Sequence, residues 1–186
     1  MFMVIIGLLF FKEKITSTQT TGIVISFLGL LFLVSKGDFT SLDFIKNKGD
    51  LLIITSSVTW SVYSLASKKA TLTLSPVLTT FYLFVIVAII IAPFTINQQN
   101  ISDVLNLSSS GWGSILFLGI LCSGVAYTLW AQALSEMDAS RVGAFLYLEP
   151  FVTFFGSWLL LNEQITFIML FSGLIIIGGV VLVNRR

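Results

Sequence analysis

Glu149 stands in an apolar run and is followed directly by Pro150. An ionisable residue in such a run is a functional candidate by default, because lipid does not tolerate its charge. Burial would raise the pKa of the carboxyl by disfavouring its charged form, which suits uptake and release of a proton near neutral pH. Pro150 removes a backbone hydrogen bond and can open the helix for a bound solute. The structural alternative is that Glu149 caps freed backbone donors or pairs with Arg141.

A second set of candidates combines aromatic rings with hydroxyl groups. Trp60, Tyr63 and Ser64 lie in a segment that is rich in serine and threonine. Its other hydroxyl residues are Thr55, Ser56, Ser57, Thr59, Ser61 and Ser67. Such a segment either lines a hydrated cavity, whose rings suit apolar or cationic solutes, or lets helices pack closely. Tyr127 and Trp130 are similar candidates in a later segment, where Trp130 is alternatively an anchor at the membrane interface.

Two further acids, Glu13 and Glu163, fall in short polar loops rather than in apolar runs. A carboxylate near the start of the following helix interacts well with the helix dipole. Thr16 and Thr166 follow these acids and are suitable N-cap residues. We therefore interpret Glu13 and Glu163 as structural residues that stabilise the fold.

The composition excludes several functional classes. Of 186 residues, 56% are hydrophobic and 10% are charged, against roughly 25% charged in a soluble domain. The chain has no histidine and one cysteine, Cys122, so neither an intrachain disulfide nor a thiolate or imidazole metal site is expected. Cys122 reads as a small buried hydrophobe. The net charge of +1 does not indicate nucleic-acid binding, and no cofactor is expected.

Long apolar runs predict an all-α membrane protein, a polytopic bundle with six full spans and one partial span. The predicted full spans are Gln19–Ser35, Leu51–Ala66, Pro76–Ile96, Trp112–Leu134, Val142–Leu161 and Thr166–Val183. The opening stretch Met1–Phe11 covers about half of a bilayer at about 1.5 Å per residue, so it reads as the end of a longer helix. Small residues spaced as in Gly22 with Ser26, and in Gly119 with Ser123, predict close helix packing.

The distribution of lysine and arginine predicts the orientation. With the C-terminus in the cytoplasm, most basic residues lie inside, including Arg141, Arg185 and Arg186, as the positive-inside rule requires. The loop Asn97–Ser110 carries no basic residue and is expected outside. The mixed segment Gly37–Gly49 is expected to lie along the membrane surface.

An internal repeat appears at an offset of 150 residues. Phe11-Lys12-Glu13-Lys14-Ile15-Thr16 aligns with Leu161-Asn162-Glu163-Gln164-Ile165-Thr166, and Gly29 aligns with Gly179. An odd number of spans separates the two acidic loops, so they must lie on opposite membrane sides and the two halves must be inverted. Inverted halves are the recurrent architecture of secondary transporters. The second half is complete, whereas the first contributes its last span and a stump, which predicts an N-terminally truncated chain.

The sequence resembles the EamA type of the drug/metabolite transporter superfamily. The residues that carry the resemblance are Ala139, Ser140, Arg141, Val142, Gly143, Ala144, Leu148, Pro150 and Glu163, together with Trp60, Tyr63, Lys68, Tyr127, Trp130, Ala133 and Leu134. The resemblance implies ten helices in two inverted five-helix repeats, cytoplasmic termini and transport of small metabolites, commonly outward. Residues 1–36 would be the tail of the first repeat, 37–49 a connecting loop and 50–186 the second repeat.

The leading hypothesis is therefore a multi-pass transporter of the cell membrane that acts on a small-molecule substrate and is not an enzyme. The alternative is a non-transporting membrane protein, or a half-transporter that needs a partner chain. That partner would be a second copy or the missing N-terminal half. The substrate, the direction of transport and the coupling ion are left open by the sequence.

Overall fold

Over the residues that the computed structural model describes, 2–35, 48–162 and 164–185, the chain contains helices and no strands. We label the helices α1 Phe2–Phe11, α2 Ser17–Val34, α3 Lys48–Ala70, α4 Pro76–Thr95, α5 Gln98–Leu105, α6 Ser109–Glu136, α7 Ala139–Leu161 and α8 Phe167–Asn184. Helix α6 contains a π-helical segment, Phe117–Val125, and α7 contains a 3-10 segment, Phe145–Leu148. The described part of the chain is all-helical, and the protein is a multi-pass membrane protein.

Among the described helices, five are long and apolar enough to cross a bilayer: α2, α4, α6, α7 and α8. The sequence predicted six full spans. The difference lies in α3, which contains the predicted span Leu51–Ala66. It has 23 residues, but its many hydroxyl side chains make it less apolar than the other five. The predicted partial span corresponds to α1, an apolar helix of 10 residues.

Some predictions need correction, and others fall outside the described ranges. The predicted loop Asn97–Ser110 contains the short helix α5, whose first turn is capped when Asn97 accepts a hydrogen bond from Asn100 N–H at 2.9 Å. Helix α3 already begins at Lys48, within the predicted connecting segment. The predicted surface segment at 37–47, the loop acid Glu163 and the terminal Arg186 lie outside the described residues.

The two loops of the sequence repeat share their local structure. Lys12 and Asn162, which are equivalent at the offset of 150, both end a helix in the left-handed conformation, with φ of 52° and 54°. Thr16 accepts a hydrogen bond from Gln19 N–H, and Thr166 accepts one from Met169 N–H, each at 3.3 Å. The predicted capping by both threonines is therefore confirmed. Equal caps at equivalent positions are what an internal duplication predicts.

The chain divides into two compact units, the first comprising Met1–Leu65 with Met137–Arg186 and the second Ala66–Glu136. The first unit is built on the close approach of α2 and α8. A Cβ atom on Gly22 would lie 2.6 Å from the carbonyl oxygen of Gly179 and 2.7 Å from the amide nitrogen of Val183. A Cβ on Gly29 would lie 2.9 Å from a side-chain carbon of Ile176. The glycines on both helices therefore let the two backbones touch, as predicted for the pair of Gly22 and Ser26.

The contacts also show that α2 and α8 run antiparallel. Partners on α8 move toward lower numbers as those on α2 rise, from the Gly22 contact through Ser26 with Ile176 to Phe32 with Phe171. The Ser26 hydroxyl donates to the Ile176 carbonyl at 3.3 Å across a separation of 150 residues. This bond joins two positions that the repeat makes equivalent, as expected near an approximate two-fold axis. Antiparallel equivalent helices are what inverted halves predict.

Helix α7 packs onto the α2 and α8 pair. Its Tyr147 lies in a buried apolar cluster with Leu33 of α2 and with Ile176 and Val180 of α8. A second cluster joins Ile23 of α2, Ala144 of α7 and Val183 of α8, with Val4 of α1 packed against it. These contacts set the position of the middle of α7.

The start of α7 is held by an acid from the loop between α1 and α2. The Glu13 carboxylate accepts hydrogen bonds from the backbone N–H groups of Ala139 at 2.7 Å and Ser140 at 3.1 Å. The Ser140 hydroxyl donates to the same carboxylate at 2.9 Å. Asp138, at the N-cap position of α7, makes no side-chain capping bond. Glu13 therefore occupies the N-terminus of α7, and not that of the following helix α2, where the sequence placed it.

The second unit contains α4, α5 and α6. Ser75 caps α4 by accepting from Leu78 N–H at 3.3 Å, and Pro76 occupies the first turn, where its missing N–H is not needed. Helix α4 packs against the last part of α6, where the rings of Phe84 and Tyr127 lie 5.4 Å apart between centroids.

Replacing Gly179 by alanine should destabilise the protein, because the new methyl group would overlap the α2 backbone. We expect a loss of about 1–3 kcal/mol, typical of overpacking, seen as a lower unfolding temperature of the detergent-solubilised chain. The neighbouring Gly178 has no atom of the described residues within 4 Å of a built Cβ, so Gly178→Ala is the matched control and should unfold as the wild type does. Equal unfolding temperatures for the two variants would contradict the close packing.

Removal of the Glu13 carboxylate should destabilise the chain more than removal of the Asp138 carboxylate, although Asp138 is the residue that adjoins α7 in sequence. Glu13→Ala leaves two backbone donors and one hydroxyl without their acceptor, which costs about 2 kcal/mol. Asp138→Ala removes only an ion pair with Arg141 whose Nε to Oδ2 distance is 4.0 Å. Thermal unfolding of both variants measures the difference, and a larger loss for Asp138→Ala would show that the local cap is the one that matters.

Candidate functional site

A cavity of about 600 Å³ lies within the first unit. Its polar lining consists of Ser56, Ser57, Trp60, Ser61, Tyr147 and Glu149. Its apolar lining consists of Phe2, Met3, Val4, Leu30, Gly143 and Leu146. We call it the Glu149 cavity. It brings together Trp60 and Glu149, which the sequence singled out separately from two distant helices.

The backbone around Pro150 explains how Glu149 is placed. Pro150 has no N–H to donate to the Leu146 carbonyl, the bond that a regular helix would make there. The Glu149 N–H donates to Leu146 instead, in the tighter 3-10 pattern. The α-helix resumes at Glu149. The Leu146 carbonyl therefore has a backbone hydrogen-bond donor despite Pro150, and the Glu149 side chain is not needed to satisfy it.

The Glu149 side chain is exposed, near the middle of the 23-residue helix α7, and it borders the cavity. The predicted alternative, a pair between Glu149 and Arg141, does not occur in the structure. Arg141 faces Asp138, which lies three residues earlier and therefore on the same side of the helix. No lysine or arginine occurs among the described residues that line the cavity, so Glu149 gives the lining a negative character.

The sequence did not single out Tyr147, which is the other polar group of α7 at the cavity. It is 7% exposed, and its hydroxyl has no hydrogen-bond partner among the described residues. The Tyr147 ring belongs to the apolar cluster formed with α2 and α8, and Tyr147 is also one of the residues that border the cavity. A tyrosine two positions before an intramembrane acid was the available signal, but tyrosine in an apolar run also fits an ordinary core residue.

The hydroxyl groups of α3 serve two purposes. Those of Ser57 and Ser61 donate to the carbonyls of Ile53 and Ser57, at 3.0 and 2.8 Å, and both residues line the cavity. Since their protons are used within the helix, they present lone pairs to the cavity. Ser64, by contrast, is fully buried, and neither it nor Tyr63 is among the lining residues. Tyr63 lies beside Trp60, with ring centroids 5.3 Å apart.

The later candidates belong to the second unit. Tyr127 lines a separate cavity there of about 540 Å³, together with Phe84, Gly119 and Ser123. The predicted close packing at Gly119 is wrong, since no atom of the described residues lies within 4 Å of a Cβ built there. This stretch is the π-helical part of α6.

The structure also shows the environment of two more residues of α6 that the sequence analysis named. Cys122 is exposed rather than buried, which an apolar residue tolerates when it faces lipid. Trp130 is partly buried and does not line the second cavity.

Comparison with known proteins identifies relatives that align with almost the whole chain. The sequence model of the EamA-like transporter family matches residues 47–185. An uncharacterized transporter of Archaeoglobus fulgidus is 30% identical over 178 residues, which cover 94% of this chain and 60% of that protein. The uncharacterized transporter YyaM of Bacillus subtilis is 29% identical over 178 residues, covering 94% of this chain and 57% of that protein. The chain thus spans less than two thirds of these relatives' length. No solved structure matches it.

Water access to the Glu149 cavity can be tested by cysteine labelling. In a Cys122→Ser background, Ser57→Cys should react faster with a hydrophilic methanethiosulfonate reagent than Thr55→Cys, because the reactive thiolate forms in water and not in lipid. Both residues are exposed on α3, and both hydroxyls donate to the carbonyl four residues earlier, but only Ser57 lines the cavity. A labelling rate in membranes that is no higher for Ser57→Cys than for Thr55→Cys would contradict preferential water access to the cavity.

Proposed function

Because the chain belongs to the EamA-like transporter family, we propose that it takes part in the transport of small metabolites across the cell membrane, with the Glu149 cavity as the solute site. The relatives named above are described as transporters, and they align with almost all of this chain. The volume of about 600 Å³ falls within the range of 300–1,000 Å³ typical of small-molecule sites. The proposed role is transport and not catalysis.

One observation carries the proposal: a carboxylate in the middle of a membrane-spanning helix borders a cavity that an indole ring also lines. Keeping a carboxylate at this depth is costly, and such residues mark solute, ion or proton pathways. Its neighbours in the lining supply the complementary contacts, the ring of Trp60 and the hydroxyls of Ser57 and Ser61. The arrangement suits a solute that binds in place of a proton on Glu149, which would couple transport to the proton gradient.

The finer features of the proposal come from the sequence pattern. The basic residues favour a cytoplasmic C-terminus. The repeat, with its equal caps and the antiparallel α2 and α8, supports a reading of residues 1–36 and 50–186 as parts of two inverted repeats, joined by 37–49. In the complete ten-helix arrangement, rocking of one half against the other would expose the cavity alternately to each side, and export is the direction that the family resemblance favours.

Flux measurements with the chain in proteoliposomes test the proposal. We expect uptake of a small-metabolite panel above that of protein-free liposomes, and we expect Glu149→Gln to abolish it or to remove its pH dependence. Glu136→Gln is the matched control, because Glu136 is an exposed acid of the second unit whose contact is Gln132 at 3.1 Å.

Three other outcomes are informative. If Glu149→Gln leaves both the flux and its pH dependence unchanged, the proposed site is wrong. If the wild-type chain binds solute without flux, the half-transporter alternative gains support, and a partner chain should restore flux. If it neither binds nor moves any solute, a non-transporting role is favoured.

A further inference from the structure

The Glu149 cavity combines three chemical features that together select one class of solute. It has one negative charge, several hydrogen-bond acceptors and an apolar wall that contains an indole ring. We propose that its ligand is an organic monocation with an amine group, an apolar body and a neutral hydrogen-bond acceptor. We also propose that the Tyr147 hydroxyl recognises that acceptor. This inference rests on the proposed function of the cavity as a solute site.

The charge balance points to a monocation. Glu149 is ionisable, and none of the described lining residues is a lysine or an arginine. A carboxylate beside an apolar wall is less well solvated than one in bulk water, and a ligand of opposite charge that makes direct hydrogen bonds offsets this cost. A monovalent amine makes the site neutral. A zwitterionic amino acid would leave the negative charge uncompensated, and a carboxylic acid would double it.

The pattern of donors and acceptors points to the same class. The protons of Ser57 and Ser61 are already donated within α3, so these hydroxyls can only accept from a ligand. An ammonium group is a donor only, and it matches these oxygens and the Glu149 carboxylate. The Trp60 ring in the same lining provides a face for the cation.

Tyr147 supplies the missing donor. Its side chain is more than nine-tenths buried, it borders the cavity, and its hydroxyl has no hydrogen-bond partner among the described residues. A buried hydroxyl without a partner is unfavourable, and a ligand oxygen that reaches it from the cavity would satisfy it. Tyr147 and Glu149 both line the cavity, so one ligand can contact both residues.

The apolar wall sets the remainder of the ligand. Phe2, Val4, Leu30 and Leu146 line the cavity with the indole of Trp60, and none of these four side chains can form a hydrogen bond. They suit an aromatic or hydrocarbon body. The class is therefore an amphipathic amine such as an aryl amino alcohol.

Binding of a matched series of probes tests whether the cavity prefers a monocation over a zwitterion or an anion. The purified full chain, in lipid nanodiscs at pH 7, is titrated calorimetrically with phenethylamine, phenylalanine and 3-phenylpropionate, which share a phenyl body and differ in charge. We expect phenethylamine to bind at least about tenfold more tightly than the other two, and Glu149→Gln to remove this preference. Glu136→Gln should retain it. Equal or tighter binding of the zwitterion or the anion would overturn the proposal.

A second comparison tests Tyr147. The wild type should bind 2-amino-1-phenylethanol about three- to tenfold more tightly than phenethylamine, which lacks the hydroxyl. Tyr147→Phe should bind both equally, with phenethylamine affinity unchanged, since only the phenol oxygen is removed. Tyr82→Phe, at an exposed tyrosine of α4, should keep the preference. Persistence of the preference in a Tyr147→Phe protein with wild-type unfolding temperature would overturn the role of Tyr147.

The readouts separate this inference from the proposed function. An amine that binds as described but is not moved in proteoliposomes leaves the ligand class intact and contradicts transport by this chain. If the chain transports another solute, and the amines neither compete with that solute nor are transported themselves, transport is supported and the proposed ligand class is overturned.

Discussion

The direct contact between α2 and α8 is the interaction on which the remainder of the first unit depends. Lipid tails are as apolar as leucine, so helices in a membrane gain little from burying apolar surface against each other and associate through close packing and hydrogen bonds. Here glycine at 22, 29 and 179 lets the backbones meet, and Ser26 bonds across the seam. The clusters that position α7 are built on this pair. A shift of α8 would therefore move Tyr147 and, with it, Glu149.

Helix α7 is constrained at two further points, and both bear on the site. Its first turn is bound by Glu13, and its middle changes from α to 3-10 geometry because Pro150 cannot donate a hydrogen bond. The 3-10 turn alters the directions of the side chains that follow one another along Phe145–Leu148. With the first turn of α7 held by Glu13 and its middle in 3-10 geometry, Tyr147 packs against α2 and α8 at the edge of the cavity. Glu149 remains exposed.

The polar groups of α3 show how a helix of this protein can be rich in hydroxyl groups without a large energetic cost. Four of them, on Thr55, Ser57, Thr59 and Ser61, donate to a carbonyl one turn earlier. Their protons are thereby satisfied inside the helix, and their lone pairs are left for water or a ligand. The same hydroxyl side chains that make α3 less apolar than the five bilayer-crossing helices also make its cavity-facing side a hydrogen-bond acceptor surface.

The sequence by itself determined what depends on neighbouring residues: the apolar spans, the caps at Thr16 and Thr166, and Glu149 with Trp60 as unusual residues in apolar runs. Hydropathy and capping act over a few residues, so they can be read along the chain. The tertiary structure alone decided that Glu13 caps α7, across 126 residues, and that Tyr147 borders the same cavity as Glu149. Likewise, spacing of small residues could not distinguish Gly22, which packs, from Gly119, which does not. The reason is physical: these outcomes depend on which helices meet, and that choice is made by packing between segments far apart in sequence.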